Sequence, residues 1–63
     1  MTLKDTPQKS YIQLMACTQA SNDILLAGTI LKFLRPKNDI FSICLNINNE
    51  TILVPTNSVV ERI

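Results

Sequence analysis

Three basic side chains, Lys32, Arg35 and Lys37, fall within six consecutive residues. Cations at that spacing suit a phosphate. Phe33 and Tyr11 are the aromatics that would stack a base beside it, the pairing that single-strand nucleic-acid binders use. The competing reading is a solvated loop whose charges keep an apolar domain dispersed. Catalytic groups are scarce. The chain has no histidine, so neither a Ser-His-Asp nor a Cys-His arrangement exists. Cys17 and Cys44 stand far apart and no zinc ligand set accompanies them. One glycine cannot build a phosphate-cradling loop. A Ser42–Lys32 pair stays open through strand adjacency alone. Asp23, Asp39 and Glu50 sit where strands end, positions at which carboxylates serve turns. The reading is a non-enzymatic chain with no cofactor and no metal.

Charge and composition bear on partners. The net charge of +1 supplies no long-range field toward duplex DNA. Of the 63 residues, 46% are hydrophobic and 17% charged, against about 25% charged in ordinary domains. A chain this short hides only about 60% of the surface its unfolded form exposes. Surplus apolar area on so small a surface predicts a homo-oligomer or a permanent protein partner. The opening Met-Thr-Leu-Lys-Asp carries no apolar leader-like run, and two cysteines without a disulfide framework suit reduced, buried thiols. Cytoplasmic location is the expectation. The apolar run over residues 24–34 is too short to span a bilayer and is interrupted by Lys32.

The elements that must position these groups read as β-strands. Residues 1–9 form a polar tail, in which Thr6 and Pro7 suit the cap and first position of one helical turn. Residues 10–63 make a single small domain. Residues 11–17 read as a strand, with a helix over residues 7–17 as the alternative. A polar loop follows at 18–23. Residues 24–34 read as one long strand bent at Gly28, the position where a lone glycine marks a bulge or sharp bend. Residues 35–38 form a loop, since Pro36 cannot donate to a ladder. Residues 39–48 alternate cleanly: Phe41, Ile43, Leu45 and Ile47 on one face, Ser42, Cys44, Asn46 and Asn48 on the other. The apolar set is expected inside. Asn48 and Asn49 suit a hairpin turn. Ile52 and Val54 are buried by the next strand, which Pro55 ends. Thr56, Asn57 and Ser58 make a short turn, and residues 59–63 a final strand docked to its end. The nearly uncharged outer set, Ser42, Cys44 and Asn46, together with Tyr11, is the candidate interface.

This order resembles the Sm-like branch of the small SH3-type barrels. The residues that carry the resemblance are Leu26-x-Gly28-x-Ile30, Asp39-x-Phe41-x-Ile43-x-Leu45, Ile52-x-Val54-Pro55 and Val59-x-x-x-Ile63. The resemblance covers residues 24–63 and implies a four- or five-stranded barrel that assembles with copies of itself, with an N-terminal helix if residues 7–17 take the helical alternative. In the bacterial RNA chaperone of that family a Tyr-Lys-His run before the last strand contributes to uridine binding. Pro55, Thr56 and Asn57 stand at the nearest positions here and supply neither cation nor imidazole. Ser42 and Cys44 occupy the region where Sm proteins carry an asparagine. The resemblance thus implies the fold, and the family's RNA site does not carry over residue by residue.

The sequence thus predicts a mainly β, non-catalytic binding module that self-associates or joins a protein partner as a regulator or adaptor. The alternatives are a single-stranded RNA or DNA binder using Lys32, Arg35 and Lys37, and a phage- or plasmid-type inhibitor of a host protein.

Overall fold

The computed structural model of the chain describes residues 1–21 and 23–63. After one 3-10 turn at Leu3–Asp5 come β1 (Ser10–Leu14), β2 (Thr18–Gln19), β3 (Ile24–Leu25), β4 (Ile30–Pro36), β5 (Phe41–Leu45), β6 (Thr51–Pro55) and β7 (Val60–Arg62). The molecule is mainly β, as expected. Five strands form an antiparallel sheet in the order β6-β5-β4-β1-β7, and β2 pairs only with β3. No ladder joins β6 to β7, so the sheet is open among the described residues. It nevertheless folds round a core in a body of 21 × 21 × 20 Å. The β2–β3 hairpin closes in on the edge of β6, where the Ser21 N–H donates to the Leu53 carbonyl at 3.1 Å.

Between the two alternatives for residues 11–17, the strand is what forms. Ile12 and Leu14 are buried while Tyr11 is exposed, the period of two that a half-buried strand requires. The polar loop at 18–23 contains more order than its composition suggests: Thr18 pairs with Leu25 and Gln19 with Ile24. Asn22, also part of that loop, lies outside the described residues. The single bent strand expected over residues 24–34 is two strands. β3 ends at Leu25, a turn follows that the Thr29 N–H closes on the Leu26 carbonyl at 3.1 Å, and β4 begins at Ile30. Gly28 is the third residue of that turn with φ +92, the left-handed region a β-turn of this kind reserves for glycine. An added Cβ would meet only the Gln13 Nε2, at 3.8 Å. The constraint is therefore the backbone and not crowding. Gly28→Ala is expected to cost about 1–2 kcal/mol and to lower Tm by roughly 5–15 °C; an unchanged melt would show that this turn has another conformation within reach.

The clean alternation of β5 is present with its faces exchanged. Ser42 and Cys44 are fully buried, Phe41, Ile43 and Leu45 are half-buried, and Ile47 has left the strand and is 84% exposed. The reason lies across the ladder. Cys44 stands opposite Phe33 on β4 and Ile52 on β6, and Ser42 opposite Val54. Phe33 is the bulkiest of the fully buried side chains. A phenyl ring that fills a small interior leaves room beside it for a thiol and a hydroxymethyl, not for a second ring. Leu34, left over where the register jumps from Phe33–Cys44 to Arg35–Ile43, is the extra residue of a bulge. Ser42 is satisfied inside by the Thr56 hydroxyl at 3.0 Å. The core is completed by Leu3, Ile12, Leu14, Leu31, Val54 and Val60, with Leu25 and Ile52 packed against it.

Turn chemistry explains the remaining boundaries. Asn38 Oδ1 accepts from the Ile40 and Phe41 N–H groups, both at 2.8 Å, and holds the β4–β5 turn; Arg35 and Pro36 belong to β4 rather than to that loop. Asn46 Oδ1 accepts from the N–H groups of Asn48 and Glu50, and Asn49 takes φ +62, so the hairpin tip is built on Asn46 and lies earlier than Asn48–Asn49 alone implies. Ser58 folds back on the Pro55 carbonyl through both its N–H and its hydroxyl. Ile63 is docked through its N–H to Tyr11 while its side chain is exposed.

Residues 1–9 are not a loose tail. Leu3 is fully buried in the core. The helical turn precedes Pro7 instead of starting there, because a residue before proline is pushed to extended backbone. Thr6 (φ −89, ψ 137) accordingly ends the turn and does not cap its start.

Candidate nonpolar interface

Residues that alternate with the core set form the outer face of the main sheet. Tyr11 on β1 stands opposite Lys32 on β4, and Lys32 opposite Leu45 on β5. Gln13 stands opposite Ile30, Arg35 opposite Ile43, Ile43 opposite Leu53, and Phe41 opposite Pro55. Side chains facing each other across a ladder share a face. The outer surface of β1, β4, β5 and β6 is consequently apolar over most of its extent, with Lys32 and Arg35 as its cations. Tyr11 and Ile30 are exposed; Phe41, Ile43, Leu45, Leu53 and Pro55 are half-buried.

At one end of this face Tyr11, Ile30, Lys32, Leu45, Asn46 and Ile47 line a shallow groove of about 240 Å³. The Lys32 ammonium lies over the Tyr11 ring, 5.7 Å from its centroid, near the outer limit for a cation–π contact. The ring and cation are neighbours on the surface, with the tyrosine more than half exposed. A second, wider groove of about 650 Å³ runs past Ile40, Phe41 and Pro55 at the other end, with Lys4 and Asp39 on its rim.

The sequence-predicted basic group is dispersed. Lys32 is on the outer face, Arg35 is near the end of β4, and Lys37 is in the turn beyond it. Five residues of extended chain separate Lys32 from Lys37 by about 15 Å, farther than one phosphate reaches. Phe33, expected as a stacking ring, is core and has no accessible face. Tyr11 is the one predicted aromatic that is exposed beside a cation.

The predicted uncharged interface is likewise corrected. Ser42 and Cys44 point inward and cannot touch a partner. Asn46 is at the surface with its amide spent on its own turn, Nδ2 donating to Glu50 Oε1 at 3.2 Å. Of the expected set only Tyr11 lies open on the outer face. What sequence reasoning missed is Ile30, Ile43, Leu45, Leu53 and Ile47, and the available signal was the small size of Ser42 and Cys44 beside the bulky Phe33.

Chemistry at these positions is limited. Ser42 and Lys32 lie on opposite faces of the sheet, so they do not form a pair. Asp23 accepts from the Ile24 N–H and Glu50 from Asn46, both in turns. Among the described residues no three Cys, Asp or Glu side chains gather as a metal-holding group, and no helix is long and apolar enough to cross a membrane. Both cysteines are free thiols; Cys17 is exposed, against the expectation that both are buried, and burial pushes the Cys44 thiol up to about 12. Comparison with protein-family models, curated proteins and solved structures finds no match for the chain.

Proposed function

We propose that the chain is a non-catalytic binding module that self-associates and acts through protein contacts, as a regulator or adaptor. The observation that carries this is the inverted β5. Phe41, Ile43 and Leu45 are turned outward while Ser42 and Cys44 occupy the core, which sets a broad apolar face on a domain with few charges to offset it. Tyr11 and Ile30 on that face are more than 40% exposed, and Ile47, just beyond β5, lines the same groove with them. Contiguous apolar area of that kind on a small soluble domain marks a surface that another chain covers. The Sm-like reading belongs to the same proposal. The order β6-β5-β4-β1-β7, a meander with the last strand returned to the first, supports a small barrel-type body of that class.

A second reading, binding of single-stranded nucleic acid, is favoured by one observation only, the exposed Tyr11 ring beneath the Lys32 ammonium. One ring and dispersed cations make a small platform, since such binders stack several bases.

Light scattering at 10–100 µM, with and without a 20-nucleotide oligothymidine at low salt, separates the two. A native mass at least twice the 7.1 kDa chain without oligonucleotide is the expected result. A monomer throughout that range overturns self-association. A mass that rises only with oligothymidine, and falls back as salt is added, replaces it with the second reading.

A further inference from the structure

The segment before β1 is attached to the domain in an unusual way. Its first six residues, a strap, bond through their backbone to residues 56–60, toward the other end of the chain: Leu3 N–H to the Ser58 carbonyl, Lys4 N–H to the Thr56 carbonyl, and the Val60 N–H to the Met1 carbonyl, with Thr2 bridging Val59, while Lys9, next to β1, donates its N–H to the Phe33 carbonyl at 2.6 Å. Its one large anchor, Leu3, is fully buried. Internally it is a self-contained unit. Asp5 and Thr6 N–H groups close on the Thr2 and Leu3 carbonyls, the Thr6 hydroxyl donates to the Thr2 carbonyl, and the Thr2 hydroxyl donates to Asp5 Oδ2 at 2.8 Å. The only covalent tie to β1 is the short link 7–9. In that link Pro7 is stiff and Lys9 is held at φ +66, a left-handed conformation that lysine adopts at a steric cost.

Short hinges under strain favour exchange of the element they carry between identical chains, because the exchanged form keeps every contact and relaxes the hinge. Edge-to-edge routes to assembly are narrower. On the β6 edge, the Leu53 carbonyl is taken by Ser21, the Pro55 carbonyl by Ser58, and Pro55 has no N–H to offer. On the β7 edge, the strap itself takes the Val60 N–H. Strand addition in the manner of an open sheet therefore finds little left to pair.

We infer that two copies of this chain exchange residues 1–6, each inserting its Leu3 into the core of the other and pairing its Thr2 with the other's Val59. This rests on the self-association proposed above and names its mechanism: the partner is a second copy, and the strap is the piece exchanged. The outer apolar face makes none of the exchanged contacts, and its cover by a second chain is a separate contact that can add to the exchange.

The test uses the full chain with Cys17→Ser, Thr2→Cys and Val59→Cys, oxidised at high concentration after light scattering. A covalent dimer that is lost on reduction is the expected product, because the Thr2–Val59 bridge then spans two chains. Lys9→Gly, which removes the hinge strain in both copies, is expected to weaken dimerisation of the otherwise unaltered chain at least tenfold, and Tyr11→Ser with Ile30→Ser tests the outer face separately. A protein that is dimeric by mass yet forms only the intrachain disulfide overturns the exchange and leaves self-association standing; a dimer abolished by the Tyr11 and Ile30 changes and untouched by Lys9→Gly does the same. A monomer at every concentration overturns both. If the double-cysteine chain does not fold, the Lys9→Gly comparison decides alone.

Discussion

Phe33→Ala is expected to lower the stability of this domain by about 3–5 kcal/mol, a large share of the total. Phe33 is 1% exposed and is the largest of the fully buried side chains. Truncating a buried phenylalanine costs about 3–5 kcal/mol, the lost transfer energy plus the cavity that remains. A domain of 63 residues has roughly 3–9 kcal/mol of stability in total, so one such change removes about a third of it at the least and all of it at the low end. The neighbours cannot collapse into the gap easily. Cys44 and Ile12 lie on separate strands pinned by ladders to either side of β4. Tyr11→Ala, on the outer face, is the control and should shift the stability by less than about 0.5 kcal/mol. Urea titrations followed by circular dichroism compare the two directly. Should Phe33→Ala melt like the unaltered chain while Tyr11→Ala collapses, the assignment of inner and outer faces would be reversed.

That assignment is where the sequence was least readable. Residues 41–45 announce a strand with two unlike faces, and that much is borne out. Alternation alone does not say which face is inside when one set is large and apolar and the other is small and uncharged. Ser42 and Cys44 both tolerate burial, Ser42 because Thr56 is 3.0 Å away and able to share its hydroxyl, Cys44 because a thiol packs like a small hydrophobe. The deciding quantity was the volume left beside Phe33, which belongs to a neighbouring strand and to a register set by the Leu34 bulge. Neither is local. The strand at 10–14 was legible only as one of two alternatives, and its buried Ile12 and Leu14 decide between them; the strand at 51–55 was legible from Ile52 and Val54, of which Val54 is buried and Ile52 packs against the core. The turns were legible in kind and not in place: Gly28, Asn38 and Asn49 lie in turns, and Asn46, read as an interface residue, turned out to hold one. Leu3 went unread because a single apolar residue among polar ones carries no period. Its backbone is held by residues 56–60, at the far end of the sequence, and its side chain joins a core drawn from several strands.

Raising the pH is expected to destabilise the fold through Cys44, and the sign follows from where its proton is held. The buried thiol is pushed from an ordinary 9.0 to about 12 because an anion there would be stripped of water. Below pH 9 the folded and unfolded chains both keep the proton, so this group leaves stability unchanged. Between pH 9 and pH 12 the unfolded chain releases it while the folded chain retains it. The unfolded state then binds fewer protons, and stability falls as pH rises, by about 1.4 kcal/mol per pH unit once the unfolded thiol is ionised. On a domain of a few kcal/mol, two units above pH 9 remove about 2–3 kcal/mol, enough to unfold a large fraction of molecules. Urea midpoints measured at pH 8, 9, 10 and 11 trace the slope. Cys44→Ala leaves a small void and starts from a lower stability, yet its slope above pH 9 should be shallower by that amount, whereas Cys17→Ala, at an exposed position, should keep the slope of the unaltered chain. Equal slopes in all three would mean that Cys44 ionises as readily in the fold as out of it and would overturn its burial opposite Phe33 and Ile52.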